Sequence, residues 1–135
     1  MIRGECNCGE IAFEVTADTS DVFVCHCSIC RKFTGSNGIA VVIVSAKDFQ
    51  WTQGESLITT WRKPGHDWQV WFCKQCGSTL PGKNDETQRF IPAGSITEGA
   101  NTLKVAHHIH VDSKATWHEI GDRGQQHPNG FNLGS

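Results

Sequence analysis

The chain has 135 residues, of which 12 are basic and 14 acidic, and its formal net charge is −2. This length suits one domain with a modest core, which bound metal would help to stabilise. The near-neutral charge excludes the strong basic field of a typical nucleic-acid binder and offers no polybasic contact for a membrane.

The beginning of the chain, residues 1–10, lacks the apolar stretch of a secretory signal. The longest apolar run, residues 39–44, is far too short to span a membrane. We therefore expect a cytoplasmic protein, whose thiols stay reduced. Its seven cysteines then indicate metal binding or catalysis rather than disulfides, and their odd number agrees.

The apolar patterns are short and bounded by Gly, Asn, Asp and Pro, which predicts a mostly β protein. Residues 10–16 alternate with period two, and residues 39–44 form a continuous run typical of a strand buried on both faces. In chain order, the predicted strands are residues 10–16, 21–24, 39–44, 57–62, 67–72, 89–93 and 106–111.

Two short segments are predicted to be helical turns. Residues 28–33 follow a cysteine cluster and end at Thr34-Gly35, a helix-stop signal. Ser45 and Asp48 resemble a capping box and indicate one turn between strands. The polar, Gly-rich residues 123–135 are predicted to be a surface tail, which leaves residues 1–122 as the folded domain.

The first and last cysteine groups are pairs. Cys6 and Cys8 form C-x-C, Cys73 and Cys76 form C-x-x-C, and glycine follows each pair. A structural zinc takes four tetrahedral ligands, commonly all thiolates, so two pairs complete a site. Glycine tolerates the tight bend after each pair, where backbone N–H groups can bond the sulfurs. We favour this zinc site over two redox dithiols or ordinary buried cysteines.

The middle group, Cys25, Cys27 and Cys30, places three sulfurs within six residues. Cys25 and Cys27 share one side of an extended strand end, and Cys30 lies in the first turn of the predicted helix, whose N-terminus favours thiolates. Three protein ligands leave a fourth position open, as in a catalytic zinc site. The alternative is a structural site closed by a histidine; His26 is nearest, but its side chain should point away from those of Cys25 and Cys27.

Arg31 and Lys32 directly follow this group. They are candidates for binding substrate carboxylates beside the zinc, and a solvated helix face explains them equally well.

The stretch 107–110 contains three histidines. In a strand, His108 and His110 would share one face. A half-buried strand with its polar residues outward is favoured over a histidine metal cluster, and one of these histidines can still approach the open zinc.

Taken together, the motifs resemble the glutathione-dependent formaldehyde-activating enzyme (GFA) family, which includes the centromere protein V domain. The resemblance covers nearly the whole chain up to Asp122. The matching segments are Gly4-Glu5-Cys6-Asn7-Cys8-Gly9, Phe13-Glu14-Val15, Cys25-His26-Cys27-Ser28-Ile29-Cys30-Arg31-Lys32, Gly35, Phe72-Cys73-Lys74-Gln75-Cys76-Gly77, His110-Val111-Asp112-Ser113-Lys114 and Trp117.

This resemblance implies a β-tent fold of antiparallel sheets around two zinc sites. The implied ligands are Cys6, Cys8, Cys73 and Cys76 for a structural zinc, and Cys25, Cys27 and Cys30 for a catalytic zinc. The implied activity is the condensation of formaldehyde with glutathione to S-(hydroxymethyl)glutathione, classed as a carbon–sulfur lyase by its reverse direction.

We therefore expect a zinc-dependent enzyme whose open zinc binds a small thiol, glutathione by resemblance, and yields thiolate at neutral pH. Two alternatives stay open: a non-enzymatic zinc-binding or protein-interaction module of the same fold, and a thiol-dependent zinc buffer. We expect no nucleic-acid or membrane partner.

Overall fold

The computed structural model describes residues 1–130, so the end of the predicted tail, residues 131–135, lies outside the described part. The strands are β1 (Ile2–Glu5), β2 (Ala12–Val15), β3 (Val22–Cys25), β4 (Ile39–Ser45), β5 (Phe49–Gln53), β6 (Ile58–Arg62), β7 (Gln69–Cys73), β8 (Gly82–Lys83), β9 (Gln88–Pro92), β10 (Ile96–Glu98), β11 (Val105–Ile109) and β12 (Gln125–Gln126). The described residues contain one α-helix, α1 (Ser28–Thr34), and a few 3₁₀ turns. None of these helices is long and apolar enough to cross a membrane.

The mostly β prediction is confirmed. Each predicted strand corresponds to an observed one, with ends that agree within two residues. The predicted turn after β4 is a 3₁₀ turn, Ala46–Asp48, but Ser45 makes no side-chain cap hydrogen bond, so the capping-box interpretation is wrong. The sheets are largely antiparallel, as the family resemblance implies, and the exception is β11, which pairs in parallel with both β3 and β12.

Residues 1–20 and 42–102 form one compact unit. Its four-stranded antiparallel sheet has the order β10-β1-β2-β5, and β6 pairs with β7 as a hairpin. Phe13 on β2 is 1% exposed and packs against Phe49 and Trp51 of β5, with ring centroids 5.6 and 6.2 Å away. Burial of such aromatic side chains is a main source of stability in a small β domain.

The part of β4 in this unit bears out the run predicted to be buried on both faces. Val42, Ile43 and Val44 are consecutive and all buried. Because neighbouring side chains on a strand point to opposite faces, consecutive burial requires cover on both.

Residues 21–41 and the chain from 103 onward form the second unit. Here β3 pairs antiparallel with the first half of β4 and in parallel with β11. Helix α1 begins directly after β3. Gly35 ends the helix in a left-handed conformation with φ of 68°, and its N–H donates to the Arg31 carbonyl at 2.8 Å. This is the stop signal that the sequence predicted.

Candidate metal centres

The seven cysteines are all free thiols, and they lie in two groups. Within each group every sulfur is within 4.8 Å of the others. The first group is Cys6, Cys8, Cys73 and Cys76, and the second is Cys25, Cys27 and Cys30. Among residues 1–130, no histidine or carboxylate joins either group or forms another of this kind. The division into four and three matches the predicted one.

Each pair of the four-cysteine cluster ends in a tight turn closed by glycine. Gly9 donates its N–H to the Cys6 carbonyl at 3.0 Å, and Gly77 donates to the Cys73 carbonyl at 2.7 Å. Both glycines are left-handed, with φ of 79° and 77°. Glycine adopts this conformation without the steric penalty of other residues, so the two turns have the same physical cause.

The distances within this cluster suit a metal ion. The Cys6 Sγ is 3.5 Å from the Cys8 Sγ, which is 3.8 Å from the Cys73 Sγ. A tetrahedron with zinc–sulfur bonds of about 2.3 Å separates its sulfurs by about 3.8 Å. The N–H of Ile11 also donates to the Cys6 Sγ at 3.4 Å, a typical contact around a thiolate ligand. The four thiols therefore fit a closed tetrahedral site.

The surroundings of this cluster are apolar. Cys6 and Cys73 are 3% and 0% exposed and pack with Ile11 and Leu80. The partly buried side chains around them are Trp51, Leu57, Ile58, Trp71 and Cys76. A metal held here would join two distant stretches of the chain inside one core, which is the situation in which metal binding adds directly to folding free energy.

Proton sharing between the crowded thiols is uneven. Hydrogen bonds from the Ser78 hydroxyl and backbone lower the pKa of Cys76 to about 6. The Glu10 backbone favours the Cys8 thiolate, but desolvation and the thiols around it outweigh this and raise the pKa of Cys8 to about 12. Four adjacent thiolates repel one another. A bound cation offsets this repulsion and thereby favours ionisation of all four thiols.

The three-cysteine cluster lies where β3 passes into α1. Cys25 is the last residue of β3, Cys27 is the N-cap of α1, and Cys30 lies in the first turn of the helix, buried. The Cys27 Sγ accepts the Cys30 N–H at 3.3 Å. The chain reversal from strand to helix thus brings all three sulfurs together, and the N-cap hydrogen bond fixes the second against the third.

Charge in this cluster is concentrated on one sulfur. A hydrogen bond from the Cys30 thiol is the main cause that lowers the pKa of Cys25 to about 6, aided by the Cys27 backbone and by the nearby His110. The same hydrogen bond, together with burial, raises the pKa of Cys30. The hydrogen bond therefore favours the thiolate form of Cys25 and the protonated form of Cys30.

The favoured interpretation, in which the polar residues of the strand point outward, is wrong for His108. His108 is not outward: it is 2% exposed and lies 2.8 Å from His26, itself fully buried. His110 lies beyond the end of β11 in a left-handed conformation with φ of 56°, so it does not share a strand face with His108. The His26 ring is hydrogen-bonded to His108 and lies outside the cysteine group, as the alternation of side chains along a strand predicted. His110 is the histidine near the three-cysteine cluster.

The two predicted substrate-binding residues lie on α1. Arg31 is half-buried, one helical turn after Cys27, and its Nε donates to the Ser113 carbonyl at 3.1 Å. Lys32 is exposed. A third cation in this unit, Lys114, was not among the predicted site residues, and its Nζ donates to the carbonyls of Ala115 and His118.

Comparison with known proteins identifies the family. The family model described as glutathione-dependent formaldehyde-activating enzyme, GFA, matches residues 1–113, which contain all seven cysteines. The chain belongs to the GFA family. A protein of Halomonas elongata named "Putative glutathione-dependent formaldehyde-activating enzyme" is 27% identical over 135 residues, covering 93% of this chain and 84% of the relative.

A solved structure has a similar fold. The crystal structure of a Rhodobacter sphaeroides protein is similar with a TM-score of 0.57 and 21% sequence identity. The similarity covers 74% of this chain and 91% of that protein.

Proposed function

We propose that the chain catalyses the reversible addition of glutathione, or a related small thiol, to formaldehyde or a related small aldehyde. In the reverse direction this is a carbon–sulfur lyase reaction. The observation that carries the proposal is the cluster of three thiols at the β3–α1 junction, one ligand short of a tetrahedron, in a member of the GFA family.

We propose zinc for both cysteine groups. Cys6, Cys8, Cys73 and Cys76 would hold a structural ion, because four thiols fill its coordination and an apolar core surrounds it. Cys25, Cys27 and Cys30 would hold a catalytic ion. Zinc bound there would lower the pKa of a substrate thiol and present its sulfur as thiolate.

The chain's own residues would bind and orient the thiol. Arg31 and Lys32 are proposed to attract its carboxylates, with the guanidinium of Arg31 held in place through its Nε by Ser113. His110 and Lys114 are further polar side chains in the same unit, with His110 near Cys25 and Lys114 near His26. In the reaction the thiol loses a proton, its sulfur forms a bond to the carbonyl carbon, and the carbonyl oxygen gains a proton, so no redox partner is needed.

Two further parts of the proposal concern the whole chain. We propose that residues 1–122 are the zinc-binding domain and that 123–135 are a C-terminal tail. We also propose a cytoplasmic location, because seven free thiols need a reducing compartment.

The test is the rate of thiol–aldehyde exchange in the metal-loaded protein, measured by exchange NMR with the uncatalysed rate subtracted. We expect acceleration in proportion to protein, its loss in Cys27→Ser, and its retention in Ser28→Ala, whose side chain is exposed beside the cluster. Absence of any acceleration would overturn the enzyme proposal. Bound metal without turnover would then favour a zinc-binding module, and rapid metal exchange would favour a zinc buffer.

A further inference from the structure

Three side chains of the second unit form a continuous hydrogen-bonded chain from the interior to the surface. His26 Nε2 lies 2.8 Å from His108 Nδ1, and His108 Nε2 lies 2.8 Å from Asp122 Oδ1. His26 is 0% exposed and the His108 side chain 3%, whereas the Asp122 side chain is 43% exposed. A buried histidine pair therefore ends on a carboxylate that solvent reaches.

The position of His26 makes this chain relevant to the metal centre. His26 lies between Cys25 and Cys27, and its ring bonds His108 and is not part of the three-cysteine group. Its backbone N–H donates to the Ile109 carbonyl at 3.0 Å, which attaches the segment to β11. This backbone hydrogen bond sets the position of residues 25–27 against β11. Holding the His26 ring in place also restricts rotation of the peptide planes on either side of His26.

The bonding of Asp122 dictates the tautomers. Its Oδ1 accepts from the Gly124 N–H at 2.8 Å as well as facing His108, and these hydrogen bonds lower the pKa of Asp122, so it is an ionised acceptor. His108 therefore carries its proton on Nε2 and offers a bare Nδ1 to His26. His26 then carries its proton on Nε2, which leaves its Nδ1 bare.

This assignment agrees with the surroundings of His26. Its Nδ1 is buried and has no hydrogen-bond partner, as the bare atom in the deduced order. A proton on Nδ1 would be a buried donor without an acceptor, and leaving a buried donor unpaired costs free energy. The Nε2 proton of His26 is therefore the one that donates, and its acceptor is His108.

We propose that Asp122 and His108 are positioning residues that clamp His26 and thereby set the geometry of the Cys25-His26-Cys27 segment for metal binding. The inference rests on the proposed function only in taking the three cysteines as a metal site. Asp122 lies beyond residues 1–113, the part that the family model matches, so the clamp extends the site to a residue that the family match does not include.

Two variants of Asp122 separate the hydrogen bond from mere bulk. Asp122→Ala removes the acceptor at a partly exposed position, where a fold-wide effect is not expected. Asp122→Asn keeps an oxygen that can accept from both Gly124 and His108, so we expect it to preserve the tautomers. His127→Gln is the matched control, because it alters another histidine pair, in which Nδ1 of His107 on β11 lies 2.9 Å from His127 Nε2.

The experiment uses the full zinc-loaded chain and has two readouts. Nitrogen–proton NMR of the imidazoles reports the tautomers of His26 and His108, and competition with a chelator reports the affinity of each metal site. We expect both rings protonated on Nε2 alone in the wild type. Residues joined in one hydrogen-bonded network are commonly coupled about 2- to 100-fold, so for Asp122→Ala we expect a loss of about tenfold at the second site only. Asp122→Asn and His127→Gln should stay within about twofold of wild type.

Two results would overturn the clamp. One is a proton on Nδ1 of either His26 or His108 in the wild type, because the deduced order would then be absent. The other is unchanged affinity at the second site in Asp122→Ala. If the wild-type chain binds a single metal ion, the proposed second metal site is wrong. The imidazole spectrum of the same sample then shows whether the hydrogen-bond order of His26 and His108 is nevertheless present.

Discussion

Cys27 and Cys30 are linked by the N-cap hydrogen bond of α1, in which the Cys27 Sγ accepts the Cys30 N–H at 3.3 Å. Cys27 therefore has two roles, since its sulfur both caps the helix and belongs to the three-cysteine cluster. The proposed metal site and the start of the helix share one atom, and substitution can separate the two.

Cys27→Ser and Cys27→Ala should differ in stability but not in activity. Serine is a good N-cap, and its oxygen can accept the same N–H, whereas alanine loses the cap at a cost of about 1 kcal/mol. Neither residue supplies a thiolate, so both should lose the second metal and the exchange activity. Urea unfolding and metal analysis test this. Equal stability of the two variants would argue against a capping role for the sulfur.

Cys73→Ser should be far more destabilising than Cys27→Ser. Cys73 is fully buried within the core around the four-cysteine cluster, and structural metal binding contributes folding free energy. We expect a loss of about 3 kcal/mol or more in the free energy of unfolding, or no folded protein. Similar unfolding of the two variants would contradict the division into structural and open sites.

The affinity of the second site should depend on pH in a way set by Cys25. Its pKa is lowered from 9.0 to about 6, so above about pH 6 the metal displaces no proton from this thiol. Below about pH 6 Cys25 is protonated, and binding must release one more proton. A plot of log affinity against pH should therefore steepen by about one near pH 6, measured by chelator competition from pH 5 to 8. A straight plot through pH 6 would show that Cys25 titrates elsewhere.

Arg31→Gln and Lys32→Gln should raise the KM for glutathione and leave kcat nearly unchanged. Each charge-assisted hydrogen bond to a carboxylate is worth about 1 kcal/mol at a partly exposed position, so we expect an increase of about fivefold in KM. A thiol without carboxylates, such as 2-mercaptoethanol, is the control and should show no difference between variant and wild type. An equal effect on the KM for both thiols would show that Arg31 and Lys32 do not recognise the carboxylates of glutathione.

Gly4→Ala should destabilise the first unit. A Cβ on Gly4 would overlap the Phe13 ring and the Ser95 carbonyl oxygen, and forcing atoms into a packed core costs about 1–3 kcal/mol. Gly94→Ala is the matched control, because nothing lies within 4 Å of the corresponding Cβ. Urea unfolding of the two metal-loaded variants should show a clear difference, and a harmless Gly4→Ala would mean that the packing around Phe13 can relax.

The two cysteine groups were predictable because their pattern is local in sequence. Spacing and the terminal glycines identified Cys6, Cys8, Cys73 and Cys76, and the C-H-C-x-x-C pattern identified the second group. The sequence does contain a signal for strand β5, because Phe49 and Trp51 alternate with polar residues. This alternation spans too few residues to predict a strand. Strands β1, β8, β10 and β12 are two to four residues long and too brief to show a period.

The histidine chain could not be predicted from the sequence. His26 and His108 are 82 positions apart, and only the parallel pairing of β11 with β3 brings them together. The favoured outward orientation of His108 follows from the average behaviour of polar residues on strands, and the paired burial of two histidines overrides it. Asp122 has no motif around it, because its role depends on the turn before β12.

The central claim is that Cys25, Cys27 and Cys30 hold a metal whose fourth position accepts a thiol, while the other four cysteines hold a closed site. Cadmium NMR of the fully loaded protein, with and without glutathione, tests it most directly. We predict two resonances, one typical of four sulfurs and unchanged by glutathione, and a second that moves into the four-sulfur range when glutathione binds. A single resonance, or two that glutathione leaves unchanged, would contradict the claim.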